Sequence, residues 1–334
     1  MNTTLHVGIV GLGRLGSLYA RYFTSRIPGV KVVAVSDVNR ELTDRIAAET
    51  GARGYVDYHD LVKDPAVHAV VVMTPTKLHC EVVLAAAEAK KAIFCEKPLS
   101  VDVAEGERMK AAVARNGVFF QLGFMRRFDR AYAVAKQKIE AGLIGTPVIF
   151  KSTSRDQLPP PIEYLRPANS GGLFLDMGIH DFDLARWFMG EATNVYSIGN
   201  SIAYPEISGV GDVENALTTL TFAGGGIGMI SLSRIGIFGY SIHTEIVGTK
   251  GTLQIGYERE TAVLVMTKDV IAHDTVPGFY ERFEQAYISQ LINFVENLRA
   301  GRAAPIVCED GIAAQRIAIA ATRSLHSRQP ENVT

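Results

Sequence analysis

Residues 5–16 read LHVGIVGLGRLG, an apolar run followed by three glycines at the spacing G-x-G-x-x-G. The run predicts a short strand, and the apolar side chains at helical spacing after it predict a helix. Such glycines allow a tight turn, close approach of a pyrophosphate and close helix–strand packing, while the helix N-terminus offers N–H donors. The stretch therefore predicts the first turn of a dinucleotide-binding fold, with these residues against the cofactor: Gly11, Leu12, Gly13, Arg14 and Leu15.

An acidic residue follows the second predicted strand. Residues 31–36 read KVVAVS, with four apolar residues in a row, and Asp37 comes directly after them, 21 residues beyond Gly16. At this place a carboxylate binds the ribose hydroxyls of NAD and repels the 2′-phosphate of NADP. Arg40 weakens that exclusion because an arginine here could hold a phosphate, and the alternative role for Asp37 is to cap the helix that starts near Asn39. We predict NAD, with NADP as the alternative.

Strands and helices keep alternating up to residue 123. This pattern predicts a doubly wound parallel sheet, so that ligands bind beyond the carboxyl ends of its strands. We therefore assign residues 1–123 to an NAD-binding Rossmann domain. The predicted elements after Asp37 are helix 40–50, strand Val67–Met73, helix Leu78–Lys90, strand Ala92–Cys95, helix 102–115 and strand Val118–Gly123. The further predicted cofactor contacts are Val38, Arg40, Thr74, Pro75, Thr76, His79, Glu96 and Lys97.

The tripeptide Glu96-Lys97-Pro98 ends a central strand. A lysine there would lie near the nicotinamide end of a bound cofactor, whereas in an isolated turn it would be a solvated lysine. Pro98 fixes the local turn, and a cis bond before it is possible. The position at the strand end favours a functional Lys97.

In residues 124–334 the regular alternation of strands and helices ends. A predicted helix up to about Ala141 and a strand from Val148 to about Arg155 precede a long run of short strands separated by Gly, Asn or Asp. These strands predict an α+β domain with one large, mainly antiparallel, open-faced sheet, followed by helices near 279–300 and 309–327. The predicted strands are Val195–Gly199, Ala216–Phe222, Ile227–Ser233, Ser241–Val247, Thr252–Gly256 and Ala262–Met266, with hairpin turns at Ala223–Gly226 and Gly248–Gly251.

Within this half, residues 171–183 read GGLFLDMGIHDFD. We expect the two glycines to open one amphipathic helix, on which Asp176, His180 and Asp183 at i, i+4 and i+7 share a face. A carboxylate one turn from an imidazole orients it and sets its basicity. The alternative assigns Asp176 to an N-cap, His180 to the core and Asp183 to solvent.

The composition excludes several classes of protein. The chain has 334 residues, 47% of them apolar and 21% charged, with a formal net charge of −1, so neither nucleic acid nor an anionic membrane is an expected partner. Three cysteines without metal spacing favour a reducing, cytoplasmic compartment and no metal site. Residues 1–4 have no basic start or apolar region of a signal peptide.

Taken together, GLGRLG, Asp37, Glu96-Lys97-Pro98 and GGLFLDMGIHDFDLARW resemble the Gfo/Idh/MocA oxidoreductases over essentially the whole chain, and within that family the inositol dehydrogenases. The resemblance implies a catalytic group of Lys97, Asp176 and His180. It also implies polyol contacts from Arg127 and Asp183, with Tyr240 as a weaker one. The segment 154–157 lines the sugar site in this family, which adds Arg155 and Gln157 as substrate contacts, although a histidine is expected where Gln157 stands.

The resemblance implies NAD-dependent oxidation of a secondary hydroxyl of scyllo- or myo-inositol to the ketone, an inosose, by hydride transfer to nicotinamide C4. Two alternatives stay open: an aldose 1-dehydrogenase that gives a lactone, and a regulator that binds NAD(P) without turnover. Because an uncovered apolar sheet face is rare on a monomer, we also expect a homotetramer or homodimer formed through the open face.

Overall fold

The computed structural model describes residues 4–256 and 259–334. Their contacts group into two compact units, Met1–Phe124 with Tyr287–Ala313 and Met125–Ala286 with Ala314–Thr334. The sequence-based division at 123/124 puts all of residues 124–334 in one domain, whereas the contacts group Tyr287–Ala313 with the first unit. The physical reason is that both long C-terminal helices are apolar on several sides and add to the core of each unit in turn.

The first unit contains six parallel strands in the order β3-β2-β1-β4-β5-β6, as the alternation of elements predicts for a Rossmann fold. Its central strands have no polar alternation because helices cover both faces. The elements are β1 Leu5–Val10, α1 Arg14–Ser25, β2 Val30–Ser36, α2 Arg40–Thr50, β3 Arg53–Tyr55, α3 Tyr58–Lys63, β4 Ala69–Val72, α4 His79–Glu88, β5 Ala92–Glu96, α5 Val103–Asn116 and β6 Phe120–Gly123. The short elements β3 and α3, of three and six residues, were not predicted from the sequence.

The second unit is built on a seven-stranded sheet of order β12-β11-β7-β10-β9-β8-β15. Its pairs are antiparallel except for the parallel pair β7–β10, which confirms a mainly antiparallel sheet. The elements from residue 130 onward are α6 Arg130–Glu140, β7 Pro147–Arg155, α7 Ile162–Leu165, α8 Pro167–Ser170, α9 Gly172–Asp176, α10 Ile179–Met189, β8 Ala192–Asn200, α11 Glu206–Gly209, β9 Asn215–Phe222, β10 Ile227–Ser233, β11 Ser241–Gly248, β12 Gly251–Ile255, β13 Val265–Met266, β14 Ile271–Ala272, α12 Phe279–Ala300, α13 Cys308–Ser327 and β15 Glu331–Asn332.

One predicted strand of the large sheet is wrong. Residues 262–266 form only the two-residue strand β13, which pairs with β14 in a separate hairpin. Its apolar side chains are exposed, with Met266 at 70%. Local β-propensity is therefore present in this segment, but it pairs with β14 and not with an edge strand of the large sheet.

The two faces of the large sheet differ. Along β9, Ala216, Thr218 and Leu220 are buried, whereas Leu217 between them is 45% exposed. Helix α10 packs on the inner side against β7. The opposite side carries exposed apolar side chains. Because alternate residues of a strand point to opposite faces, the sheet has one covered face and one open face.

Candidate functional site

The glycine loop of the first unit places each glycine for a different reason. Gly11 has a φ of +91°, and a Cβ there would lie 2.6 Å from the backbone nitrogen of Thr74. A Cβ on Gly16 would lie 2.0 Å from the Gly11 carbonyl oxygen, so the first turn of α1 packs directly on the loop. A Cβ on Gly13, in contrast, would meet nothing within 4 Å. Protein packing therefore requires Gly11 and Gly16, while Gly13 borders open space at the start of α1, where a pyrophosphate fits.

Asp37 lies where β2 ends and reaches the glycine loop. Its Oδ2 accepts a hydrogen bond from the Leu12 N–H at 2.8 Å, and its Oδ1 accepts one from the Asn39 N–H at 2.9 Å. The cap of α2 is Asn39, whose side chain accepts from the Leu42 N–H. The alternative that Asp37 is the helix cap is therefore wrong. A carboxylate has about four acceptor positions, so two remain for ribose hydroxyls.

A cavity of about 540 Å³ opens beyond β2 and β3. Val38 is 86% exposed at its rim, and the side chain of Arg40 extends on the surface 3.9 Å from Asp44. The volume suits a nucleoside, and its position next to Asp37 suits the adenosine end of a dinucleotide. The lining residues are Val38, Arg40, Gly54, Tyr55, Val56, Asp57, Tyr58 and Asp60.

His79 joins the two turns that follow β4 and β5. Its Nδ1 lies 2.9 Å from the Pro98 carbonyl oxygen and its Nε2 lies 2.9 Å from the Thr74 carbonyl oxygen. Burial lowers the pKa of His79. Both ring nitrogens thus face the backbone, which makes His79 a residue that holds two cofactor-facing turns together. The Thr74 Oγ1 is buried without a hydrogen-bond partner among the described residues, as expected of a group that hydrogen-bonds to a ligand.

Glu96 is buried beside Lys97 at the end of β5. It accepts hydrogen bonds from the Tyr19 hydroxyl at 2.6 Å and from the Lys97 N–H at 3.0 Å. The Gln290 side chain donates in turn to the Tyr19 oxygen. Burial raises the pKa of Glu96 to about 7. The peptide bond between Lys97 and Pro98 is cis, as the sequence allows.

In the second unit, the predicted single helix through Asp176, His180 and Asp183 is wrong. Helix α9 ends at Asp176 and α10 begins at Ile179, so His180 and Asp183 share a helix that excludes Asp176. The break lies at Gly178, where a Cβ would approach the Leu232 side chain to 2.8 Å and the Phe174 carbonyl oxygen to 2.9 Å. Close packing on β10 therefore divides the helix.

Asp176 is held by side chains from two distant segments. Its Oδ1 accepts from the Tyr164 hydroxyl at 2.8 Å, and its Oδ2 accepts from Arg234 Nη2 at 3.0 Å. Its side chain is 14% exposed, and His180 is 7% exposed in the first turn of α10. Asp176 is thus an anchored acceptor, not an N-cap, and the sequence offered no local signal for either partner.

Arg127 and Asp183 are brought together. The Arg127 guanidinium donates from Nε at 2.9 Å and from Nη2 to the two Asp183 oxygens, and Asp183 is 1% exposed. Trp187 lies against the same guanidinium, 5.7 Å from ring centre to Cζ. The two predicted polyol contacts therefore form a bidentate, largely buried ion pair, a geometry that is rigid and strong.

The neighbouring arginine is part of a network that was not predicted from the sequence. Arg126 Nη1 donates to Asp181 at 3.0 Å, and both side chains are buried. Hydroxyls from β7, on Ser152 and Ser154, donate to the same carboxylate. Burial opposes the charge on Arg126, but Asp181 outweighs it and raises the pKa of Arg126. The alternation of serines along β7 was the available signal, since small polar residues at i and i+2 on an inner face need a buried polar partner.

The remaining predicted substrate contacts lie in different surroundings. Tyr240 hydrogen-bonds with Arg126 and packs against Phe283 at 6.2 Å between ring centres, so it joins the buried network. Arg155 donates to Ser231 Oγ at 3.0 Å and lines a cavity of about 440 Å³ on the open sheet face, opposite to Ser154 and α10. Gln157 is exposed in the loop after β7. The structure therefore does not bring Arg155 together with His180.

Two kinds of feature are absent from the described ranges, 4–256 and 259–334. No group of three His, Cys, Asp or Glu side chains there is placed to hold a metal ion. No helix among those residues is long and apolar enough to cross a membrane.

Comparison with known proteins matches the chain to two models of one family. Residues 5–124 match the model of an oxidoreductase family described as Gfo/Idh/MocA, NAD-binding Rossmann fold, and residues 136–333 match its C-terminal alpha/beta domain. Two relatives are each 38% identical: scyllo-inositol 2-dehydrogenase (NAD(+)) of Bacillus subtilis, over 99% of this chain and 96% of the relative, and myo-inositol 2-dehydrogenase of Thermotoga maritima, over 97% of both. Scyllo-inositol dehydrogenase of Lactobacillus casei, crystallised with NAD(H) and scyllo-inositol, aligns with a TM-score of 0.95 at 34% identity over 99% of both chains.

Proposed function

Because the chain belongs to the Gfo/Idh/MocA oxidoreductase family, whose Rossmann domain binds NAD, we propose that it oxidises a secondary hydroxyl of scyllo- or myo-inositol to the inosose. The observation that supports this most is similarity over nearly the full length to two inositol dehydrogenases at the same identity, 38%. Because those two relatives act on different epimers, the proposal covers both.

The first unit has a surface that fits NAD. The glycine loop and the first N–H groups of α1 would hold the pyrophosphate, Asp37 the adenosine ribose, and the turns at Thr74 and Glu96 the nicotinamide half. The open space at Gly13 and the buried, unbonded hydroxyl of Thr74 support this fit. When bound, NAD⁺ supplies the hydride acceptor at C4 of its nicotinamide.

Three side chains carry the proposed chemistry. His180 takes the proton of the substrate hydroxyl as general base, since an imidazole has its ordinary pKa near neutral pH. Asp176 fixes the imidazole and stabilises its charged form. Lys97 donates to the reacting oxygen and stabilises its developing negative charge. The remaining role, orientation of the ring hydroxyls, falls to the Arg127–Asp183 pair, whose rigid geometry suits it.

The test is an assay of the purified protein with NAD⁺ and, separately, myo-inositol, scyllo-inositol, D-glucose and L-glucose, followed by NADH absorbance. Turnover of an inositol with weaker turnover of the aldoses is the expected result. Turnover of aldoses alone would replace the proposal with an aldose 1-dehydrogenase. NADH binding without turnover of any of the four, repeated with NADP⁺, would favour a sensing regulator.

We also propose a homotetramer or homodimer formed through the open face of the large sheet. Exposed apolar side chains on three adjacent strands support it, among them Ile198 at 51%, Leu217 at 45% and Ile227 at 52%. A face of this kind is unusual on a monomer. Light scattering after size exclusion should give a mass of two or four chains, and Leu217→Lys should lower that mass.

We also propose a cytoplasmic location, because the three cysteines are free and buried.

A further inference from the structure

One fully buried arginine in the second unit lies near three carboxylates. Arg234 directly follows β10, and its side chain is 0% exposed. Its Nη2 lies 3.0 Å from Asp176 Oδ2, and its Nη1 lies 4.0 Å from Asp156 Oδ2. Asp212 adds a third negative charge to its surroundings. Neither the family resemblance nor the sequence pattern singled out this arginine.

Burial makes this arrangement energetically demanding. A guanidinium that is out of contact with water needs a counter-charge, and the carboxylates beside it need the cation equally. Asp156 and Asp176 keep 30% and 14% of their side chains exposed, so solvent compensates them in part. Asp212 Oδ1 accepts a hydrogen bond from the Leu173 N–H at 2.9 Å. The shortest ion pair in the cluster is the one to Asp176.

Asp176 is consequently fixed at both oxygens. Tyr164 from α7 donates to Oδ1 and Arg234 donates to Oδ2, so the carboxylate can rotate only by breaking one of these bonds. Hydrogen bonds to the charged form and a nearby opposite charge both favour the ionised state.

We propose that Arg234 is a positioning residue that keeps Asp176 ionised and fixed for its action on His180. This inference rests on the proposed function, in which Asp176 orients the base. Arg234 itself is fully buried and acts through Asp176, without touching substrate.

The groups that face Asp176 determine the sign of the effect. They are Tyr164 from α7, Asp156 after β7, Asp212 before β9 and Arg234 after β10; His180, on which Asp176 acts in the proposed function, follows it by four residues on α10. Loss of the guanidinium would leave three carboxylates close together, which favours protonation of Asp176. It would also remove a cation that opposes protonation of the base. Both effects move proton uptake to higher pH.

The first experiment reads Asp176 directly and needs no substrate. The ¹³C carboxyl resonance of Asp176, identified by its loss in Asp176→Asn, is titrated in the wild-type protein, Arg234→Gln and Arg234→Lys. We expect the wild-type resonance to stay in the ionised form from about pH 5 to 9 and the midpoint to rise by about one to three units in Arg234→Gln. Arg234→Lys, which keeps the charge, should show a smaller rise.

Two results would overturn the proposal. One is a protonation step of wild-type Asp176 within that range, which can be seen even if Arg234→Gln fails to fold. The other is an identical midpoint in the wild-type protein and Arg234→Gln.

The second experiment measures turnover against pH. Arg234→Gln should lower kcat by about 10- to 100-fold with a smaller change in KM, because a displaced base misaligns the reaction, and the acidic limb should move to higher pH. Arg234→Lys should restore part of both. The matched control is Arg282→Gln, which removes another buried arginine, paired with Asp129 at 2.9 Å, and should leave the acidic limb in place.

Equal losses in Arg234→Gln and Arg282→Gln with no movement of the limb would show a structural role only and overturn the proposal. If the wild-type protein turns over none of the four substrates, the proposed function fails, while the titration still tests the link between Arg234 and Asp176.

Discussion

The candidate functional residues of the two units are specified in opposite ways. In the first unit, the glycine loop, Asp37 and Lys97 directly follow strands β1, β2 and β5, so the ends of those strands set their positions. In the second unit, Asp176, Asp181 and Asp183 each depend on an arginine from elsewhere: Arg234, Arg126 and Arg127. A site whose residues follow strand ends can therefore be predicted from the sequence. A site held by ion pairs between distant residues can be predicted only when the partners are known.

The largest expected effect tests whether residues of both units serve one reaction. His180→Ala should lower kcat by about 100- to 10,000-fold, or about 3–5 kcal/mol in the barrier, because it removes the general base. Lys97→Ala should be at least as damaging. Steady-state kinetics with scyllo-inositol, with NADH affinity measured by fluorescence as control, checks this. Near wild-type kcat in both variants with intact cofactor binding would refute the assignment.

The next prediction concerns the buried carboxylate of the first unit. Because the pKa of Glu96 is raised to about 7 in the folded protein from its ordinary value of 4.5, the folded state binds this proton more tightly than the unfolded state. Its contribution to stability is therefore full below about pH 4.5 and lost as the pH rises through 7, by about 3 kcal/mol in all.

Glu96→Gln removes this titration, so its free energy of unfolding relative to the wild-type protein should rise steadily between about pH 4.5 and 7. Urea unfolding at several pH values measures it, with Glu105→Gln on α5 as the control. A constant difference between Glu96→Gln and wild type across this range would contradict the prediction.

Substitutions at two glycines of the same loop distinguish a role in protein packing from a role in cofactor binding. Gly16→Ala should lower the free energy of unfolding by more than about 2 kcal/mol, since its Cβ would lie 2.0 Å from the Gly11 oxygen. Gly13→Ala meets no protein atom within 4 Å, so its stability should stay within about 0.5 kcal/mol of wild type while its Kd for NADH rises about tenfold. Thermal unfolding and fluorescence titration distinguish them; equal behaviour of the two variants would contradict this reading of the loop.

The smallest expected effect concerns cofactor choice. Asp37→Asn keeps an acceptor for the Leu12 N–H but removes the charge that repels a 2′-phosphate. The ratio of kcat/KM for NAD⁺ over NADP⁺ should fall by about tenfold, or about 1.4 kcal/mol. Arg40→Ala serves as the opposite control, because loss of that cation should favour NAD⁺ further. An unchanged ratio in Asp37→Asn would remove Asp37 from cofactor discrimination.

Much of the fold could be predicted because its signals are local. The first unit's alternation, the hairpins at 223–226 and 248–251 and the cis-permitting Lys97-Pro98 all follow from residues next to each other. The long helices at the C-terminus were found as well, but not the grouping of Tyr287–Ala313 with the first unit, which depends on what the helix packs against.

The errors in the second unit have a common cause. The predicted single helix assumed that 3.6-residue periodicity continues through Gly178, whereas the approach of β10 interrupts it there. The resemblance of segment 154–157 implied a substrate contact for Arg155, but alternation along β7 puts its side chain on the open face, while Ser154 donates to Asp181. A shift of one residue along a strand reverses the face, so proximity in sequence does not ensure a shared site.

By itself the sequence determined the parallel first sheet, the open-faced second sheet, the cofactor class and the three side chains proposed for catalysis, because each is encoded by short spacing or by a motif. Only the tertiary structure decided which charges meet: Arg234 with Asp176, Arg126 with Asp181 and Arg127 with Asp183. The physical reason is that a buried ion pair joins residues 55 to 58 positions apart, and its choice of partner is set by packing and desolvation, which no local pattern records.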